Sequence, residues 1–232
     1  MVIGKLNIFK RFLKIFSFVT SVTFFSIIEA FAEVMPSGEQ VVSGNVSISG
    51  HSTNHMIIDQ KSQKSVINWQ SFSINKNGRV DFNMPSSKSM SLNRVTGSTH
   101  SSIAGQLNSN GQVYLINPNG VVVTPSGSIK ANSFTASSLD INDQDFLNNN
   151  FIFKKKRENK GIINAGKINV ELGGNASLIG GNVNNSGSVN ARLGKINVGA
   201  GEKITLDIEG DGLMSVILPI KKLNNLRDIY GN

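Results

Sequence analysis

Three histidines, fifteen acidic residues and no cysteine bound the chemistry open to this chain of 232 residues. Thiol nucleophiles and thiolate metal sites are excluded, and an exported form has no disulfide, so packing and hydrogen bonds must hold it. His51 and His55 stand four apart, the spacing of a metal pair on one helix face, but the residues around them carry no helical period. His100 is remote from both in sequence. Asp207, Glu209 and Asp211, set around Gly210 and Gly212, are the ligand type that a hard cation prefers. They lack the full spaced set of a calcium loop and read as a turn. No Ser–His–Asp set can be assembled, and no glycine loop leads from a strand into a helix to cradle a phosphate. The sequence therefore predicts no catalytic residue, no metal and no cofactor. The basic run Lys154-Lys155-Lys156-Arg157 is suited to an acidic polysaccharide or lipid, but on composition it reads as a solvated loop.

The most specific arrangement is conformational. Asn117-Pro118-Asn119-Gly120 spells a tight turn: Pro118 pre-sets φ, Asn119 tolerates a left-handed φ, Gly120 relieves the exit, and the Asn117 amide can fold back on the turn backbone. The elements that must position it are strands. Val113 and Leu115 alternate with Tyr114 and Ile116, which suits a strand buried on both faces; Val121–Val123 resumes the strand, and 125–127 turns again. Strands this short between sharp corners suit a coil of parallel strands better than a stack of hairpins.

The rest of the chain agrees. Glu39–Ser49, Met56–Asp59, Lys64–Ile74, Val80–Phe82 and Leu92–Val95 read as strands, with Asn77-Gly78 a strong hairpin-type turn signal. Ile141–Asn150, rich in Asn and Asp, reads as loop. From Ser126 onward the sequence repeats: Ser126-Gly127-Ser128-Ile129 returns as Ala165-Gly166-Lys167-Ile168 and again as Ser186-Gly187-Ser188-Val189. The step from Gly166 to Gly187 sets a period of about 20 residues, built of strand–turn–strand units, and such a period predicts a solenoid. Asparagines at its corners can form ladders. Asp140–Lys160 interrupts the repeat and is expected to leave the coil as a loop or hairpin. Acidic and basic residues show no register on the repeats, which argues against a catalytic groove.

Met1–Ala32 has the form of a signal peptide: Lys5, Lys10, Arg11 and Lys14, an apolar stretch from Ile15 to Ile28, and Ala30-Phe31-Ala32 as the cleavage signature. The general secretory machinery would cut before Glu33. Net charge is +8; those four bases and Glu29 account for +3, leaving +5 on the remainder, too weak a surplus to argue for nucleic acid. Residues 33–216 form the expected domain and 217–232 an unmatched tail.

Six motifs in order carry a resemblance. They are Val66-Ile67-Asn68-Trp69-Gln70-Ser71-Phe72; Leu92-Asn93-Arg94-Val95-Thr96-Gly97; Gly111–Val121; Phe134–Ile141; Leu178-Ile179-Gly180-Gly181; and Ile204–Asp207 with Gly210-Asp211-Gly212. Together they resemble the N-terminal two-partner secretion domain of filamentous-haemagglutinin-type exoproteins: adhesins, haemolysins and contact-dependent inhibition proteins of Gram-negative bacteria. The resemblance implies an all-β fold, a right-handed parallel β-helix with an N-terminal β cap. It also implies recognition in the periplasm by an outer-membrane β-barrel transporter with POTRA domains. The exoprotein crosses unfolded and ends secreted or at the cell surface. Asn117, Pro118, Asn119 and Gly120 are then the candidate recognition residues, and Asn68, Trp69, Asn93 and Arg94 a second set. Either set contacts the transporter or only shapes the fold; Trp69 reads as core, and Arg94 pairs with a carboxylate or bonds loop carbonyls. Family members continue for many hundreds of residues, so the resemblance marks this chain as a short or truncated form. Two other functions remain open, a self-sufficient adhesin that binds host glycan or a surface receptor, and a β-helix polysaccharide-degrading enzyme.

Overall fold

Apolar residues at every second position of short strands have one way to leave water in a chain with so few helix signals: each strand must lie on another. In the computed structural model, which describes residues 35–156, 158, 160–207 and 214–217, they do so as a parallel solenoid. Expectations for Met1–Ala32 with its Ala30 and Ala32, for Arg157, Glu209 and Asp211, and for 218–232 lie outside the described residues. Three faces build the coil. The motif face stacks Lys64–Trp69, Met90–Val95, Gln112–Ile116, Ser133–Ser137, Asn175–Gly180 and Lys195–Ala200 in parallel. The polar face stacks His55–Gln60, Arg79–Asn83, Gln106–Ser109, Ser128–Ala131, Lys167–Val170 and Ser188–Ala191. A short face carries Ser101–Ile103, Val121–Val123, Ile162–Asn164 and Val183–Asn185. At the N-terminal end, Gln40–Ser43 and Val46–Ser49 pair antiparallel with the first strands of the motif and polar faces, the cap expected from the resemblance. Such a cap blunts an edge that would otherwise pair with another chain.

The period read from the sequence is real, and it starts earlier than the legible repeat. Gln112 pairs with Ser133, one such period further on, whereas Lys64 pairs with Met90 over a longer step. Longer corners in the early coils hide the repeat from the sequence. Phe134 pairs with Ala176, twice the usual step, because one coil there contains the excursion. The repeated Gly marks a corner where successive coils nearly touch. A Cβ at Gly166 would sit 2.4 Å from the Thr124 carbonyl oxygen, and one at Gly187 would sit 2.2 Å from that of Gly166. Only glycine permits that approach.

Three local expectations need correcting. Asn77-Gly78 closes no hairpin: the Gly78 N–H donates to the Asn75 carbonyl (2.9 Å), and Arg79–Asn83 then pairs in parallel with the coils on either side. Asn119 is not left-handed; Gly120 takes the positive φ, at 101°. Ile141–Asn150 is not a plain loop. It holds a helix, Asp143–Leu147, whose N-cap Asn142 accepts the Gln144 N–H and whose first turn carries Asp143 and Asp145. Five residues with one buried apolar member, Phe146, are too short to show a helical period. The absence of a charge register expected from the sequence holds on these strands: Asp81, Asn108, Lys130 and Asn169 lie side by side on successive strands of the polar face, and only Asp81 and Lys130 of them are charged.

The excursion is a hairpin with this helix between its strands. Asp140–Ile141 pairs antiparallel with Ile152–Lys154, and Lys203–Leu206 and Met214–Ile217 extend the pair to a four-stranded antiparallel sheet. Ile217 thus ends a strand. The arrangement explains why the motif face is apolar on both sides. Val113, Leu115, Phe134 and Leu178 point into the coil with Trp69 and Phe72. Leu92, Tyr114 and Ile116 point out, under Phe146, Phe151, Phe153 and Ile204. The Tyr114 and Phe151 rings stack at 5.6 Å while Phe146 meets Tyr114 edge-on at 5.2 Å. Each such side chain contributes about 1.5–3 kcal/mol by leaving water.

Candidate functional site

Two strands and one corner bring the candidate residues together. Asn68 and Arg94 are register partners on neighbouring strands of the motif face, and Arg94 in turn lies beside Ile116, the last residue before the Asn117 corner. The chain leaves the Arg94 strand through 96–100 and runs beneath that corner, so the two motifs share one end of the coil.

The corner is a turn bolted to the previous coil. The Gly120 N–H donates to the Asn117 carbonyl (2.9 Å), closing the turn, and the Asn117 Oδ1 accepts the Asn119 N–H (2.9 Å). The Asn117 side-chain amide then donates to the Thr99 carbonyl and the Ser101 Oγ, each at 3.0 Å. Asn119 donates to the Gly97 carbonyl at 2.8 Å. On the other side the Asn117 N–H donates to the Ser137 carbonyl (2.8 Å). Asn117 is 0% exposed. A buried amide with its donors and acceptor spent in this way is a lock between three coils, because any substitution leaves Thr99, Ser101 or the Asn119 N–H without a partner away from water. Pro118 and Asn119 are half-buried, and Gly120 is buried.

The second set divides in two. Trp69 is fully buried, donates its indole N–H to the Asn93 Oδ1 (3.0 Å), and meets Phe72 edge-on at 5.3 Å. Asn93 in turn donates to the Ser91 carbonyl and hydroxyl. This pair belongs to the core. Arg94 does both things the sequence left open. Its Nε donates to Asp140 (2.8 Å), one terminal nitrogen to Asp143 (2.7 Å) and to the Ile141 carbonyl (2.6 Å), and the other to the Asn68 Oδ1 (3.4 Å). Burial opposes its charge, but the two carboxylates outweigh burial and hold the guanidinium protonated. Burial alone would raise the Asp140 carboxyl; the Lys156 hydrogen bond and Arg94 outweigh it and hold the group below its ordinary range.

Sequence reasoning does not single out Asp140 or Asp143, and it meets Lys156 only as part of the basic run. Lys156 reaches Asp140 at 2.8 Å, and Lys155 reaches Glu202 at 3.4 Å, so the basic run is not simply solvated. Lys64 is missed as well. Its ammonium donates to the Leu147 carbonyl (2.6 Å) and the Asn149 Oδ1 (2.5 Å) at the far end of the same helix. Arg94 and Lys64, two cations of the coil, therefore hold the two ends of the excursion helix. The only sequence signal is an aspartate, Asp140, flanked by the apolar Leu139 and Ile141.

Two of the three histidines pair with acids, His51 with Glu39 (2.5 Å) and His55 with Asp81 (2.7 Å). Among the described residues, no three of His, Cys, Asp or Glu converge on a point. The described chain is thus a parallel solenoid whose signature residues are spent on locking coils and on docking an excursion.

That is the architecture of a secretion domain. The family model described as the TPS secretion domain matches residues 32–217, and the chain belongs to that family. Domains of this family work with a partner outer-membrane transporter, and the exoproteins that carry them are secreted across the outer membrane of Gram-negative bacteria. The HMW1 secretion domain from Haemophilus influenzae is a solved structure similar to this chain, with TM-score 0.74 and 35% identity over 81% of this chain and 50% of that one. A heme/hemopexin-binding protein of Haemophilus influenzae (strain ATCC 51907 / DSM 11121 / KW20 / Rd) is 34% identical over 213 residues, 89% of this chain. A second heme/hemopexin-binding protein of that species is 33% identical over 131 residues, 56% of this chain. The chain spans 23% and 14% of the length of these two relatives.

Proposed function

We propose that residues 33–216 are read by a partner β-barrel transporter with POTRA domains while the chain is unfolded. In this reading the domain folds outside the cell, and Asn117–Gly120 serve export by locking the emerging coil. The observation that supports this is the burial of Asn117: its amide is committed to Thr99, Ser101 and Asn119, so the folded domain offers it to no partner. Met1–Ala32 acts as a signal peptide for the general secretory machinery, with cleavage after Ala32, and the product is secreted or stays at the cell surface. The domain is a recognition module and not an enzyme.

The test is Asn117→Ala, followed through both secretion and the stability of the purified domain. Three groups lose their partner, the Thr99 carbonyl, the Ser101 hydroxyl and the Asn119 N–H, which costs about 3–6 kcal/mol at roughly 1–2 kcal/mol for each group left unpaired. Secretion and thermal midpoint should fall together. If secretion is lost while the midpoint stays at the parent value, Asn117 contacts the transporter and the locking role is wrong. N-terminal sequencing of the secreted product should begin at Glu33.

A further inference from the structure

The polar face divides into a half that bonds itself and a half that does not. In the first half Asp81 is saturated: it accepts from Arg79 (2.8 Å), Asn108 (2.8 Å) and His55 (2.7 Å), and Asn83 donates to Asp59 (2.8 Å). In the second half the register continues with Lys130, Asn169 and Asn190, while Lys167 lies beside Ser128. Here Lys130, Lys167, Asn169 and Asn190 have no side-chain partner among the described residues, and both lysines are exposed. Lys130 and Lys167 are diagonal neighbours on adjacent strands, roughly 7–8 Å apart at the backbone. Two like charges so placed, with no acid between them, cost energy that an anion would relieve. A depression of about 530 Å³ crosses the strands of the first half, lined there by Arg79, Asp81 and Asn108, and reaches the second half at Lys130, Asn132 and Glu171; Lys167, Asn169 and Asn190 lie outside it.

We infer that this face binds an acidic polysaccharide, laid across the strands along the solenoid axis. The face has the chemistry of such a ligand. Amides offer a donor and an acceptor, as sugar hydroxyls do, and the two lysines meet a uronate carboxylate. Strands repeat roughly every 4.7–4.9 Å, close to the rise of one sugar in an extended chain, so successive coils can each meet one sugar. Glu171, at the corner, restricts the anionic group to the Lys130–Lys167 side. The alternatives fit less well. The outward residues of this half, such as Lys130, Lys167, Asn169, Ser188 and Asn190, are polar, so a bilayer or an apolar protein partner gains nothing there, and they include no aromatic ring on which a nucleic-acid base would stack.

The experiment is calorimetric titration of the chain from Glu33 to Asn232 with oligogalacturonides. Neutral dextran and a single-stranded oligonucleotide of equal charge serve as competitors. Lys130→Gln/Lys167→Gln should weaken oligogalacturonide binding about tenfold or more, a loss of about 1.4 kcal/mol or more. Asn169→Ala should weaken it several-fold, and Lys154→Gln, on the excursion, should leave it unchanged. Thermal midpoints of all variants should match the parent, which separates lost binding from misfolding. Absence of binding, equal or tighter binding of the oligonucleotide, or an effect of Lys154→Gln as large as that of the double variant overturns the inference. So does an Asn169→Ala variant that binds like the parent. The measurement uses purified protein, so its failure leaves the export reading untouched.

Discussion

Arg94→Ala tests most of the architecture at one position. The Arg94 side chain is 14% exposed and that of Asp140 11%, so their pair is a buried one. Removing one partner of a buried pair costs about 3–5 kcal/mol, because the other charge is left without compensation. Two features reduce that figure here. Asp140 keeps Lys156 at 2.8 Å, and Asp143, at 34% exposed, recovers water. We therefore expect a loss of about 2–3 kcal/mol, which for a domain of this size lowers the midpoint by roughly 4–12 °C. The one tryptophan, Trp69, sits in the coil and reports its unfolding by fluorescence. The pH dependence gives a second, independent reading. Because the Asp140 carboxyl is held below its ordinary value, the unfolded chain binds protons more readily there than the folded one. The stabilisation is complete above the unfolded aspartate value of about 3.9 and is lost as pH falls through the lower folded value. Arg94→Ala should remove part of that acid-side loss, and Lys156 should retain the rest. A variant within about 0.5 kcal/mol of the parent, the size of an ordinary surface change, or one with an unchanged acid-side slope, would refute the docking role of Arg94.

Two further substitutions probe the corners of the coil. Gly166→Ala puts a Cβ 2.4 Å from the Thr124 carbonyl oxygen and 2.5 Å from that of Gly127, both backbone atoms that cannot step aside; urea unfolding should show a loss of about 1–3 kcal/mol. Leu193 is 88% exposed and held at φ 53°, where the preceding coil places Gly173 at φ 78°. Relieving a left-handed leucine returns about 1–2 kcal/mol, of which glycine's freedom in the unfolded chain takes back about 0.4–1 kcal/mol. Leu193→Gly should therefore raise the midpoint slightly, and a fall would show that the leucine side chain is held by packing.

How much of this is legible along the chain is seen best at Tyr114 and Arg94. Alternation in Val113–Ile116 shows a strand buried on both sides, and the recurring Gly127, Gly166 and Gly187 show coils in close contact. These signals are local: period, β-branched content and turn chemistry act within a few residues and are written in order along the chain. The six motifs identify the family for the same reason. What covers Tyr114 is not legible, because Phe146, Phe151 and Ile204 arrive from far beyond the strand that carries it. The partners of Arg94 are hidden likewise, since Asp140 lies well over one coil away in sequence and reaches it only when a coil opens into the excursion. The sequence by itself determined the coil, its period and its turns. Only the tertiary structure decided which side chains those coils bring together, because contact between coils depends on the summed lengths of every corner before it.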